Sequence, residues 1–187
     1  MNHKSIFIAV VISLLTSAST LKAQMTIGSV HGGYHQSWWQ SEQGRAGNPL
    51  QGFFAGFYFT DIKGVVAPYI GVDYFRNGWQ TDNNYRYINT LSLQLAIRFN
   101  IGPVFIYGGP AADLTLGQKY VIDGEDAWTR ENTVGFIDMP VFAGIGVQIG
   151  PVNLEARYFW GISFPTETEP YRNEFFQIGV GFTFIKK

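Results

Sequence analysis

Apolar and polar positions alternate with a period of two along most of the chain, and the pattern is clearest near the C-terminus. One set of alternating positions there is entirely apolar: Phe176, Ile178, Val180, Phe182 and Phe184. The residues between them are Gln, Gly or Thr. Similar alternation runs through 91–99, 137–149 and 152–162. Because successive side chains of a β-strand point to opposite faces, each segment is predicted to be a strand with one continuous apolar face.

Extended over the whole chain, this pattern predicts eight strands joined by connections of alternating length. The predicted strands are 25–34, 50–60, 65–75, 88–99, 104–116, 134–149, 152–162 and 174–184. Three connections are tight and rich in Gly, Pro and Asx: Asp61 to Gly64, Asn100 to Pro103, and Gly150 to Pro151. The others are long and polar: 35–49, 76–87, 117–133 and 163–173. An even number of strands with short turns at one end and long loops at the other predicts an antiparallel up-and-down barrel.

The composition indicates which way the apolar faces point. A soluble barrel turns them inward, whereas an outer-membrane barrel turns them toward lipid. Charged residues are 14% of this chain, against about 25% of an average soluble domain. The many glycines on the polar faces suit a narrow lumen, where bulky neighbours such as Phe142 and Phe159 need space. We therefore predict an all-β fold, an eight-stranded antiparallel transmembrane β-barrel with short periplasmic turns, long extracellular loops and both termini in the periplasm.

The first 23 residues have the features of a signal peptide. Lys4 supplies the positive start, Ile6 to Leu15 form the apolar stretch, and Ser17 to Ala23 form a small-residue region. The apolar stretch is too short for a membrane-spanning helix, which needs about 20 residues. We predict cleavage after Ala23, export of the chain, and an outer-membrane barrel formed by residues 24–187.

Three segments carry a resemblance to a known family. They are 106–117 (IYGGPAADLTLG), 136–164 and 175–184 (FFQIGVGFTF). In their glycines, aromatics and alternation they resemble the PorT-like outer-membrane β-barrel proteins of Gram-negative bacteria, small barrels of the OmpX and OmpA type. The resemblance spans nearly all of the mature chain. It implies a fold and a location, and it implies no activity, because such a pattern contains no catalytic signature.

Six charged residues occupy polar faces of the predicted strands and are expected to face the lumen: Asp73, Arg98, Asp113, Asp138, Glu155 and Arg157. An eight-stranded barrel is only wide enough for side chains to fill it, so a wide channel is excluded. Unpaired ions inside it would be costly to desolvate. We expect a lumen charge network that plugs the barrel.

Counted along the strands, Asp73, Asp113 and Asp138 are expected near the outer mouth, at a height without a strand arginine. Two alternatives follow from this placement. Either loop residues Arg76, Arg86 or Arg130 fold in to neutralise the aspartates, or the mouth binds a cation.

All five tryptophans lie in or beside the predicted long loops: Trp38, Trp39, Trp79, Trp128 and Trp160. Tryptophan favours the headgroup region of a bilayer. These residues are therefore predicted to form an aromatic interface at the outer membrane boundary.

The sequence offers little catalytic chemistry. His31 and His35 are the histidines of the mature chain, with Ser29 and Ser37 nearby. Together with Glu42 they form a weak candidate for acyl transfer at the outer leaflet. Two histidines without a third ligand do not predict a metal site. No catalytic residue, metal or cofactor is assigned.

The leading hypothesis is a non-enzymatic outer-membrane protein, a structural or accessory subunit of a larger envelope assembly that acts through its loops or lipid-facing wall. Its expected partners are outer-membrane lipid, including lipopolysaccharide, and another protein of the outer membrane. The formal net charge of -1 gives no basic surface for nucleic acid. The alternatives are an outer-leaflet lipid-modifying enzyme that uses His31 or His35, and a narrow ion-conducting pore.

Overall fold

The computed structural model describes residues 27–41, 44–62, 64–80, 84–122, 125–129, 137–162 and 172–185. Its strands are β1 (Ile27–Ser41), β2 (Gly44–Thr60), β3 (Val66–Gln80), β4 (Tyr85–Ile101), β5 (Val104–Ile122), β6 (Glu125–Thr129), β7 (Ile137–Asp138), β8 (Pro140–Ile149), β9 (Val152–Gly161) and β10 (Arg172–Ile185). No helix within these ranges is long and apolar enough to cross a membrane.

Antiparallel pairing closes the strands into a ring. Each of β1 to β5 pairs with the next, β5 pairs with β7 and β8, β8 with β9, β9 with β10, and β10 with β1. β7 and β8 form one barrel strand interrupted at Met139, while β6 pairs with the far end of β5. The described residues thus form a closed, eight-stranded antiparallel β-barrel, which confirms the predicted fold class.

Neighbouring strands of this barrel are strongly staggered. A row of Cα partners that starts at Asp138 passes through Asp113, Ser92, Asp73, Gly56, His31, Gly181 and Asn153 before it reaches Gln148. After one circuit of the barrel, the row therefore ends on the barrel strand on which it began. Its end at Gln148 is closer to the tight turn at Gly150 than its start at Asp138. With a strand spacing of about 4.8 Å and a rise of about 3.3 Å per residue, this stagger corresponds to a tilt of about 40°. The row descends by about 3 Å per strand.

Alternation along each strand separates an apolar exterior from a polar and aromatic lumen. Val180 and Leu154 on the exterior are each 52% exposed, whereas Gln177 in the lumen is fully buried. Other exposed apolar side chains lie on neighbouring strands: Phe57, Leu93, Ile106, Ile145 and Ile178. The barrel is therefore surrounded by an apolar wall, with its polar face enclosed.

The strands extend further toward one end of the barrel than predicted. Most of the predicted loop 35–49 belongs to β1 and β2, and most of 76–87 belongs to β3 and β4. A hairpin's hydrogen-bond ladder continues where neither face is apolar, so the loss of alternation in these segments does not mark the end of a strand. At the other end the tight turns lie where they were predicted, with Gly102 and Gly150 at φ 61° and 60°.

Glycine makes room for large side chains in the lumen. A Cβ on Gly144 would lie 2.7 Å from the Tyr107 ring and 3.0 Å from the Arg157 side chain. Both distances are too short for a methyl group in a close-packed interior. Gly144 therefore leaves space for bulky side chains, as predicted for glycines of the lumen. The side chains it accommodates are Tyr107 and Arg157. The predicted examples, Phe142 and Phe159, stack on each other.

Replacing Gly144 with alanine is expected to destabilise the barrel by about 1–3 kcal/mol, the usual cost of overpacking. The measurement is the urea midpoint of the refolded protein in detergent. Gly117→Ala is the matched control on β5, because a Cβ there would meet nothing within 4 Å. Equal midpoints for the two variants would contradict a tightly packed lumen.

Candidate functional site

The centre of the lumen contains a histidine held between two carboxylates. Nδ1 of His31 lies 2.5 Å from Oε1 of Glu155, and Nε2 lies 2.6 Å from Oδ1 of Asp73. The His31 side chain is fully buried. A neutral imidazole has one N–H donor, whereas the imidazolium has two. The imidazolium form therefore satisfies both contacts at once, with one proton donated to each carboxylate.

Arg157 completes this cluster and balances its charge. Its guanidinium lies 2.8 Å from Oδ2 of Asp73 and donates to Oε1 of Gln94 at 2.9 Å. Gln94 in turn donates to Oδ2 of Asp73 at 2.8 Å, and the Tyr107 hydroxyl donates to Oε2 of Glu155 at 2.7 Å. Two carboxylates thus face one guanidinium and one imidazolium. Buried ions are tolerated when they are paired and hydrogen-bonded in this way. We call His31, Asp73, Gln94, Tyr107, Glu155 and Arg157 the central network.

Aromatic side chains fill the lumen on both sides of the central network. On one side the rings of Phe142, Phe159 and Phe175 stack with centroids 4.9 and 4.2 Å apart. On the other side Tyr58 stacks on Tyr69 at 4.8 Å. These rings and the network form a continuous packed interior.

The second lumen histidine has a different environment. Nε2 of His35 lies 3.0 Å from Oδ1 of Asn77, and the Gln177 amide donates to Nδ1 at 3.1 Å. The ring stacks on Phe75 with centroids 4.8 Å apart. With one nitrogen donating and the other accepting, His35 is bonded as a neutral imidazole.

Three of the six predicted lumen charges come together, and three do not. Asp73, Glu155 and Arg157 meet in the central network. Arg98 lies apart, where it donates to Asn100 at 2.8 Å and its guanidinium lies 3.6 Å from the Phe105 ring centroid. Asp113 and Asp138 lie higher, on β5 and β7.

The expected position of Asp73 was wrong. It does not lie at the outer mouth without an arginine, because Arg157 of β9 contacts it directly. Heights counted along single strands ignore the stagger of the barrel. Asp73 lies three strands from Asp138 in one row of Cα partners, which places it about 9 Å lower.

The two described loop arginines have other contacts, and no ion pair with Asp73, Asp113 or Asp138 is described for them. Arg76 lies on the outer wall, where Nε donates to Oδ1 of Asn89 at 3.2 Å. Arg86 faces inward and donates to Oε1 of Gln118 at 2.9 Å. Arg130 lies outside the described residues.

The proposed serine and histidine pairing does not form. The Ser29 hydroxyl donates to Oγ1 of Thr183, and the Ser37 hydroxyl donates to the carbonyl of Gly78. Both histidines are buried in the packed lumen and are not exposed on the outer wall. Glu42 lies outside the described residues. Within the described ranges no three His, Asp or Glu side chains are grouped in a way that could hold a metal ion.

The tryptophans divide between the two faces of the wall. Trp160 is exposed on the exterior beside Tyr158, with ring centroids 4.6 Å apart. Trp38 packs against Tyr158 and lies under the Arg45 guanidinium at 4.2 Å. Trp39, in contrast, is 1% exposed and packs against Trp79 in the lumen, so its assignment to the interface was wrong. Nothing is described of the Trp128 side chain.

A small cleft opens above the central network, in the part of the lumen nearest to the long hairpins. It is lined by Trp39, Asn77, Ile88, Thr90, Asp113, Thr115, Asp138 and Asn173. Most of these residues carry oxygen atoms that can accept hydrogen bonds or bind a cation. Asp113 and Asp138, both expected near the outer mouth, therefore do share a cleft.

Comparison with known proteins identifies the fold. No protein-family model and no curated protein sequence matches the chain. Among solved structures, Neisserial surface protein A superposes with a TM-score of 0.58 and 16% identity, over 86% of this chain and 97% of that chain. Ail, the attachment invasion locus protein of Yersinia pestis, solved in complex with the heparin analogue sucrose octasulfate, gives 0.53 and 16%, over 86% and 100%. The chain thus shares the small barrel fold of these two proteins.

Proposed function

We propose that this chain is a non-enzymatic integral protein of the outer membrane that serves as a structural or accessory subunit of a larger envelope assembly. The observation that carries the proposal is a filled lumen inside an apolar wall. A wall of this kind is stable when it faces lipid, because large exposed apolar surfaces are rare on soluble monomers. With the interior packed, the surfaces left for function are the outer wall and the ends of the hairpins.

The orientation follows the usual layout of such barrels. The tight turns at Gly102 and Gly150 lie at the periplasmic end, together with the start of β1 and the end of β10, and the long hairpins project outward. Residues 1–23 remain a predicted signal peptide. The fold shared with Ail and with Neisserial surface protein A is consistent with exposure at the cell surface.

Lipid recognition is assigned to the outer ends of the wall. There the Arg45 guanidinium lies over Trp38, and that of Arg76 lies over Tyr87 at 5.1 Å. Arginine beside an interfacial aromatic ring suits phosphate groups at the headgroup level. Outer-membrane lipid, including lipopolysaccharide, is therefore the proposed partner of this region.

Crosslinking in the native bacterium tests the accessory role. A photo-crosslinking residue at Phe53, 81% exposed on the outer wall near the long hairpins, is compared with one at Val66, beside a tight turn. We expect a discrete protein adduct from at least one of these positions. Recovery of the solitary chain from both positions under every growth condition would contradict the accessory role.

Planar-bilayer recording separates the proposal from a pore. The packed lumen predicts no current above the background of the empty bilayer. Stable unitary conductance of the wild-type protein would favour the pore. For the enzyme alternative, lipid A composition is compared in cells with wild-type protein, His31→Gln or no protein, and a lipid change that requires His31 would contradict a non-enzymatic role.

A further inference from the structure

Asp113 is a buried carboxylate without a hydrogen-bond partner in the described structure. It is 2% exposed, and neither of its oxygens has a partner there. Asp73, two strands away in the same row, contrasts with it because Asp73 contacts His31, Gln94 and Arg157. A buried carboxylate is costly unless a counter-charge or a proton compensates it. Among the described contacts, the central network therefore does not compensate Asp113.

A second carboxylate lies directly across the strand pair. Asp138 of β7 is the Cα partner of Asp113, and Oδ1 of Asp138 accepts from the Met139 N–H at 2.8 Å. Directly opposed residues of an antiparallel pair have Cα atoms about 4.5–5.5 Å apart, so like charges there repel each other. No lysine or arginine is among the residues that line the cleft. The cleft lining thus includes two acidic side chains, and the Arg86 guanidinium lies 4.9 Å from the centroid of the lining residue Trp39.

Four further polar side chains of the lining are uncharged and carry oxygen atoms that can bind a cation. Thr90 and Thr115 contribute hydroxyl groups, and Asn77 and Asn173 contribute amide oxygens. Hard cations prefer carboxylate, carbonyl and hydroxyl oxygens, and Ca²⁺ accepts six to eight of them in flexible geometry. The absence of nitrogen and sulfur ligands does not favour a transition metal.

We propose that the cleft is a binding site for a hard divalent cation, with Ca²⁺ as the best match. Asp113 and Asp138 are the charged ligands, and the threonine and asparagine oxygens complete the coordination. The ion links β5 to β7 above the central network, where the interrupted strand at Met139 has short pairing. Bound Ca²⁺ therefore stabilises the outer half of the barrel. This inference does not depend on the accessory role.

Terbium luminescence and thermal unfolding test the site. The full mature chain is refolded in detergent free of lipopolysaccharide and treated with a chelator, and Tb³⁺ is then added. Because Trp39 lines the cleft, excitation of tryptophan is expected to sensitise bound Tb³⁺. Ca²⁺ is expected to displace the Tb³⁺ signal and, added alone, to raise the unfolding temperature.

Two isosteric substitutions decide whether the binding occurs at this cleft. Asp113→Asn and Asp138→Asn are each expected to weaken Tb³⁺ and Ca²⁺ binding by about tenfold or more, since loss of even supporting groups around a metal costs this much. Asp61→Asn, in a tight turn at the other end, is the matched control and should bind as the wild type does. If an Asp variant fails to fold, Thr90→Val replaces it, with weaker binding expected.

Three outcomes would overturn the proposal. The first is a wild-type protein without a Tb³⁺ signal or a Ca²⁺-dependent shift in unfolding temperature. The second is binding that persists unchanged in Asp113→Asn and Asp138→Asn. The third is an equal loss in Asp61→Asn, which would indicate nonspecific binding to acidic side chains.

Discussion

Replacing Arg157 with methionine is expected to cause the largest loss of stability of any single substitution considered for this barrel. The change leaves Asp73 and Glu155 with the His31 imidazolium as their only cation in the central network. Removing one partner of a buried ion pair typically costs about 3–5 kcal/mol, because the other charge stays buried. We expect most of the variant protein to fail to fold into the compact form that migrates faster on unheated gels. Urea titration in detergent measures the loss of unfolding free energy in the fraction that does fold.

Another buried arginine, Arg98, provides the control for this prediction. Arg98 is also about 1% exposed, but it donates to Asn100 and lies over Phe105, and no ion pair with a carboxylate is described for it. Arg98→Met should therefore cost clearly less than Arg157→Met. The double variant Asp73→Asn, Arg157→Met leaves one imidazolium opposite one carboxylate, and should recover part of the loss. A loss from Arg98→Met equal to that from Arg157→Met would contradict the special role of the central network.

Replacing Val180 with arginine is expected to produce the next largest effect. Val180 is 52% exposed on the outer wall of β10, and its Cα partners are Gly32 and Leu154. Arginine on the lipid face of a transmembrane barrel costs about 2–4 kcal/mol near the bilayer midplane. Reversible unfolding in liposomes measures this cost. Val180→Leu, which keeps the position apolar, should stay within about 0.5 kcal/mol of the wild type.

If the wall of β10 faced water, Val180→Arg would have a much smaller effect on the free energy of unfolding. Arginine at an exposed position of a water-soluble protein changes stability by no more than about 0.5 kcal/mol. Val180→Arg tolerated to that extent would mean that the wall of β10 faces water.

The fold could be predicted from alternation because a strand's period of two is read directly from the sequence. The four cleanest apolar stripes all belong to strands of the barrel, and the tight turns at Asn100 to Pro103 and Gly150 to Pro151 lie between them. The outer ends of β1 and β2 were missed because polar residues occupy both faces there. Backbone hydrogen bonds between the strands stabilise such a hairpin, and they cannot be predicted from the hydropathy pattern.

The candidate site was predicted only in part because it depends on the stagger between strands. Asp73, Glu155 and Arg157 were each assigned to the lumen, which alternation within a strand is sufficient to show. Their contact can be predicted only when the pairing register of all the strands between β3 and β9 is known. The sequence of a single strand does not contain that register. His31 was considered as a catalytic residue because Ser29 and Ser37 lie close to it in sequence. The odd-numbered positions of β1, which include Ser29, His31 and His35, share the buried face of that strand.

The two tryptophans of β1 show a signal that the sequence did contain. Trp38 and Trp39 are adjacent, so a strand that includes both must turn one ring outward and the other inward. Trp39 accordingly packs in the lumen with Trp79, while Trp38 packs with Tyr158. Assigning the segment to a loop concealed this constraint.

The most direct test of the account is the position of the apolar wall relative to lipid. The chain has no cysteine, so Ile178→Cys and Arg45→Cys can each be labelled with a fluorophore in the unfolded state and refolded into liposomes. With brominated lipid in the bilayer, we predict strong quenching of the label at position 178 and weak quenching at position 45. Weak quenching at position 178, together with quenching there by aqueous iodide, would contradict the account.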